Sequence, residues 1–332
     1  MDEILVEEYR GNLLECVHRG YICITGEGGQ VIHSVGDADF ITYMRSSAKP
    51  IQVLPLLEVG LEEKYGFTDK EITVMAASHR AEQWHVKAIE GIMEKTGIKE
   101  EELICLPTYP LAADAKEKVL REGGGPRRIY HNCSGKHMGI LTLCTAMGCD
   151  KSSYFDINNP AQQEILEHIA YISEYPKEQI VIGVDGCGVP VFGMPMKNLA
   201  NAYRRLACPD TLNNEKTKAA VIKLSTLMNE NYEMISGTNL ICTLLNEDPN
   251  IVAKGGAKGV YCFGLKEERL GISIKIIDGS EDEWPIIVAT ILEQLNYKNK
   301  ETIQRLRRVY PNTVINDNKK NVGESKVVFK LK

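Results

Sequence analysis

The sequence predicts an α/β protein of the α+β-like kind, a mixed or antiparallel sheet with helices packed against it. Two observations carry this. Strand-like and helix-like segments are interleaved along the chain, and Gly26-Glu27-Gly28-Gly29 between two apolar runs reads as a hairpin turn, which a purely doubly wound sheet does not use. A third concerns size. The 332 residues, 43% hydrophobic and 25% charged, suffice for one large domain over 1–332, with room for two subdomains.

The elements follow in order. Residues 12–34 read as strands: Leu13-Leu14 to Val17, Tyr21 to Ile24, and Val31-Ile32. A helix is expected from Ser46 to Val59, closed by Gly60, with Pro50 in its first turn and a bend at Pro55. Thr68 and Glu71 have the spacing of a capping box, opening a helix that leads to Ser78. Glu82 to Lys95 is helical by pattern and ends at Gly97. Gly123-Gly124-Gly125-Pro126 is a loop. A helix follows Cys133-Ser134-Gly135, and Pro160 opens another that runs to Ile172. Ile180 to Val184 is expected as a buried strand delivering Asp185-Gly186-Cys187-Gly188. Lys216 to Asn229 is helical, and the last third holds strands at Gly259–Leu265 and Gly271–Ile277 and a helix from Glu283 to Leu295.

Bulk properties exclude several functions. The net charge is −6, from 39 basic and 45 acidic side chains, which argues against nucleic acid as the main partner. No cationic start leads into an apolar run and no stretch of membrane-spanning length occurs, so no secretory signal and no membrane span are expected. None of the ten cysteines form a CxxC pair; most are expected to be reduced and buried in a cytoplasmic protein.

Five segments carry chemistry. In Arg45-Ser46-Ser47-Ala48-Lys49-Pro50, Ser46 and Lys49 are three apart, one helical turn. A serine hydroxyl needs a base to become a nucleophile, and a lysine with a lowered pKa can be that base. A cap serine beside a solvated lysine explains the same letters, so the motif counts only in context. Ser78-His79 leaves a small apolar run. Lys254-Gly255-Gly256 resembles the K-T-G strand of penicillin-binding enzymes. His131-Asn132-Cys133-Ser134-Gly135-Lys136-His137 crowds two histidines, a cysteine and a lysine before a helix. Asp185-Gly186-Cys187-Gly188-Val189-Pro190 ends a strand on a glycine-rich loop. By spacing, Cys133 and Cys187 are either zinc thiolates or buried free thiols.

Together these segments resemble the class 3, Rhizobium etli-type L-asparaginases, the thermolabile asparaginase II family, along residues 8 to 330. The resemblance implies a fold similar to serine β-lactamases and glutaminases, often as a homodimer, and hydrolysis of L-asparagine to aspartate and ammonia. It implies two Ser–Lys pairs in one site, Ser46 with Lys49 and Ser78 with Lys254. It implies Zn2+ held by Cys133, Lys136 and Cys187, organising the thiolates rather than activating water, and a substrate pocket lined by Arg45, His137 and Asp185. Asp185 would take the substrate α-ammonium, with Arg45 or a backbone donor on the α-carboxylate. One departure stands out: Arg80-Ala81 occupies a place where the family has a residue followed by glycine, so Ala81 must avoid positive φ or be strained. Three rivals share the motifs: a β-lactamase-like or peptidase-like serine hydrolase, a zinc hydrolase with metal-activated water, and a non-catalytic amino-acid-binding protein.

Overall fold

The computed structural model describes residues 1–332. Its sheet begins where the sequence showed no clear signal. Strand β1 (Glu3–Arg10) turns at Gly11 into the long β2 (Leu13–Thr25). The glycine turn is a short 3-10 helix, Glu27–Gly29, and leads into β3 (Val31–Val35), which pairs antiparallel with β2 as the hairpin reading requires. After β4 (Ile41–Tyr43), a 3-10 turn over Arg45–Ala48 leads into helix α1 (Lys49–Glu58). The expected helix thus starts three residues late, and Ser46 sits in the tighter turn ahead of it. Lys49 to Leu57 are all buried, so α1 runs through the interior, apolar on every side as a central helix must be.

Helices α2 (Leu61–Tyr65) and α3 (Asp69–Met75) follow; the Thr68–Glu71 capping box is formed on both sides. Helix α3 stops at Met75, short of Ser78, which leaves 76–82 irregular and able to aim side chains inward. Then come α4 (Gln83–Thr96), closed by left-handed Gly97, and the exposed α5 (Ala113–Arg121). Helix α6 (Ser134–Met147) is buried over its first eleven residues. Helix α7 (Pro160–Ser173) is capped by the Asn159 side chain. Helices α1, α3, α4, α6 and α7, with α9 (Glu215–Glu230), pack around one another as a helical layer.

The second layer is an antiparallel sheet. Strands β7 (Ile251–Ala257), β8 (Val260–Leu265) and β9 (Leu270–Ile276) join β2, and β1 continues to β11 (Asn321–Val327) and β10 (Thr313–Ile315). Helix α8 (Met196–Ala207) packs on β2, β8 and β9. Gly264 and Gly271 permit this, because a β-carbon there would sit 2.2 and 1.9 Å from α8 carbonyl oxygens. Helices α10 (Ile241–Asn246), α11 (Trp284–Gln294) and α12 (Lys300–Val309) complete the chain. A cluster of 81 buried residues runs through both layers.

The sequence reading needs one correction. Strand β5 (Val181–Val184) is not buried: it is the edge of a small sheet, β4-β6-β5, with β6 (Pro190–Pro195) at its centre. A four-residue apolar run cannot distinguish a core strand from an exposed edge. Here Pro190–Pro195 takes the interior and Val184 stays 79% exposed.

Candidate active site

Three helical-layer segments and one sheet strand meet at Lys49. Helix α1 opens with this lysine, fully buried, because the 3-10 turn feeds it straight into the core. Gly135 permits the second approach. A β-carbon there would lie 2.1 Å from the Val74 carbonyl, so only glycine lets the start of α6 close on the end of α3. Gly256 does the same for β7, whose backbone nears the Met44 carbonyl just before the serine turn.

The result is a hydroxyl held by two amines. Lys49 Nζ donates to Ala77 O at 2.6 Å, to Asn132 O at 3.2 Å and to Ser78 Oγ at 3.0 Å. Lys254 Nζ, from β7, donates to Ser78 Oγ at 2.8 Å and to Gly255 O at 2.8 Å. No carboxylate offsets either charge within hydrogen-bond reach. Burial therefore pushes both lysines down, Lys254 to about 8, with the Lys49 charge also lowering Lys254 and the Lys136 charge lowering Lys49. A neutral Lys49 suits its surroundings: two N–H groups can serve the two carbonyls while the lone pair faces the Ser78 hydroxyl.

Ser46 lines the same cleft as Ser78, Lys254, Asn132 and Arg80, a cavity of about 390 Å3. That volume is of the order of small-ligand sites. Its hydroxyl makes no internal hydrogen bond, and its carbonyl accepts the Lys49 N–H. The Lys49 amine is directed to Ser78 rather than to Ser46. The structure thus brings Ser46, Lys49, Ser78 and Lys254 together, with both amines on the second serine. A larger groove of about 840 Å3 runs along Trp84, Lys87 and Tyr130, and none of the expected site residues lines it.

His79 ties the Ser78 segment down. Ser134 Oγ donates to Ile129 O, so it accepts from His79 Nε2 at 2.8 Å; His79 Nδ1 accepts the Ala81 N–H at 3.1 Å. Burial holds this imidazole neutral, well below its ordinary pKa. Ala81 does adopt positive φ, 57°, the strain that the sequence raised.

A second buried group lies at the start of α6. Lys136 Nζ donates to Cys187 Sγ at 2.9 Å. The Cys133 thiol and the Lys136 ammonium together lower Cys187 to about 5, against burial. Against burial, which lowers it, Cys187, Cys133 and Asp185 in turn raise Lys136. Cys133, Lys136 and Cys187 are buried together; the two sulfurs suit zinc, and Lys136 joins them as a donor only once its proton is lost. Next to them His137 gives Nδ1 to Tyr154 Oη at 2.7 Å, while its buried Nε2 has no partner. Asp185 accepts from Arg45 at 2.9 Å, and Arg45 reaches it from a strained left-handed backbone at φ 53°. Arg45, His137 and Asp185 are not walls of the Ser46 cleft.

The chain belongs to the L-asparaginase II family. The family model matches residues 6–327, almost the whole length. Membership makes the protein an asparaginase-type amidohydrolase. No curated protein matches it. Among solved structures, Mglu is similar over 83% of this chain and 67% of its own, at 16% identity and a TM-score of 0.38. A putative β-lactamase from Bacteroides dorei covers 83% and 93%, at 12% identity and TM-score 0.45. A class C β-lactamase from Rhodobacter sphaeroides covers 83% and 94%, at 14% and 0.43.

Several residues of the cleft were not read from sequence: Ser236, Glu281, Asp282, Trp284 and Tyr310. Ser236-Gly237-Thr238, a small polar turn, is the single sequence hint among them. The others reach the cleft through packing of α11 and α12 that no local pattern announces.

Proposed function

We propose that this L-asparaginase II family member hydrolyses the side-chain amide of L-asparagine, in the manner of the Rhizobium etli-type class, through a serine activated by buried lysine. The observation that carries the reading is Ser78 Oγ held between the Lys49 and Lys254 amines in a cleft shared with Ser46. Ser46, whose hydroxyl is free and which precedes the N-terminus of α1, attacks the amide carbon, forming an ester bond. Its proton passes by way of Ser78 to a neutral lysine, which returns it to the departing nitrogen. Ammonia leaves, and water then cleaves the ester to aspartate. Arg45 and Asp185, paired in the free protein, would exchange that pairing for the α-carboxylate and α-ammonium of the zwitterion.

The two amines on Ser78 favour a second reading in which Ser78 itself is acylated. Ammonia release from L-asparagine and L-glutamine tests the substrate. Acid quench during turnover, followed by peptide mapping, then locates the ester on Ser46 or on Ser78. The reading fails if Ser46→Ala and Ser78→Ala both leave turnover intact.

Cys133, Lys136 and Cys187 would hold Zn2+, with Lys136 giving up its proton to bind. The ion would supply positive charge beside the site and fix the α6 start to the β5–β6 loop. The same reading includes a homodimer, which light scattering on the purified chain tests. No helix is long and apolar enough to cross a membrane.

A further inference from the structure

On the far side of the sequence from these cysteines, three side chains from three elements converge without the partners that their burial calls for. His18 on β2 points Nε2 at Glu283 Oε1, 3.3 Å away, and at Glu8 Oε2 on β1, 3.9 Å away. Glu283 stands at the N-terminal cap of α11 and is 4% exposed. Its Oε2 is buried without a partner, and His18 Nε2 is orphaned in the same way. Asp278 takes the other ring nitrogen, Nδ1, at 2.8 Å, and Ser325 Oγ donates to the outer oxygen of Glu8 at 3.0 Å. For His18 and Glu8 the outer atom is oriented and the inner atom is left open, and Glu283 has no oriented oxygen.

We propose that Glu8, His18 and Glu283 bind a divalent first-row transition ion of the zinc class, at a site distinct from Cys133, Lys136 and Cys187. The donor atoms lie within 4.8 Å of one another. Bonds of about 2.0–2.1 Å in a tetrahedron place ligand atoms roughly 3.3 to 3.4 Å apart. The His18–Glu283 separation already meets this, and Glu8 closes on His18 by about half an ångström. An imidazole whose second nitrogen is held by a carboxylate is the usual second shell of a histidine ligand. One nitrogen and two oxygens leave a fourth position for water. The oxygen-rich set separates this site chemically from the thiolate one.

The ion would join the β1–β2 hairpin to the start of α11. The next residue, Trp284, packs on Tyr261 at 5.2 Å between ring centroids and lines the Ser46 cleft. The site therefore acts as a staple behind one wall of the cleft.

Equilibrium dialysis of the chelator-treated full chain against Zn2+, with metal counted per chain, tests this. Wild type is expected to hold one equivalent more than His18→Gln or Glu283→Gln. Asp278→Asn should keep the equivalent but bind it about 10–100-fold more weakly, the usual cost of losing such a partner. Glu8 is the most exposed ligand, so Glu8→Gln serves if the other variants fail to fold; a loss of at least about tenfold in affinity is expected. Wild-type stoichiometry and affinity in these variants would overturn the proposal and leave a histidinium clasped by carboxylates.

Discussion

Ala81 bears a β-carbon in a conformation that glycine adopts freely. A left-handed backbone costs an L-residue about 1–2 kcal/mol, and here the His79 Nδ1 acceptor for the Ala81 N–H helps to hold it. Replacing Ala81 by glycine removes that strain but frees the unfolded chain by about 0.4–1 kcal/mol. We expect Ala81→Gly to be unchanged or up to about 1.6 kcal/mol more stable in urea denaturation; a marked loss would show the residue to be unstrained. Lys254 sets a second expectation. With its pKa lowered to about 8 by burial, it gains base character as pH rises through 8. A kcat/KM profile should show a limb near pH 8 that Lys254→Arg abolishes, with activity down about a hundredfold or more. The sign for stability is the same. Between 8 and the ordinary lysine value the unfolded chain binds the extra proton, so folding gains with rising pH across that window.

At the scale of elements, Gly135 is the point where the site is most easily broken. Gly135→Ala would drive a methyl into the Val74 carbonyl and part α6 from α3, withdrawing Asn132 O from Lys49. A loss of about 1–3 kcal/mol, as for other overpacked cores, and a larger proportional loss of turnover are expected in parallel melts and ammonia assays. Elements bounded by local chemistry were legible in the sequence: α3 by its capping box, α7 by Pro160, α4 by Gly97. Strands β1, β10 and β11 were not, and the pairing that joins β1 to β11 spans the whole chain, Val6 facing Val327. The site divides in the same way. Ser46 and Lys49 show themselves by spacing, while Ser78 and Lys254, 176 residues apart, were connected through family resemblance. That both amines converge on Ser78 is a fact of packing that no spacing contained.

For the whole molecule, the two layers meet along one core, and the catalytic candidates lie on that seam: three segments from the helical side, one strand from the sheet. Chelation should therefore be felt beyond the cysteines. Removing zinc is expected to lower the melting temperature of wild type, and Cys187→Ala should lose the thiolate-bound portion of that response; a melting curve blind to metal in wild type would exclude any such role. All ten cysteines are unpaired and eight are buried, so reducing agent alone should leave the curve in place.

Strand β11 lies between β10 and β1, yet its residues are made long after those of β1. Until the ribosome lets go of them, β1 presents an open row of amides and carbonyls to any neighbouring nascent chain. A message truncated before codon 321 should therefore yield a product that precipitates rather than one that is merely slow.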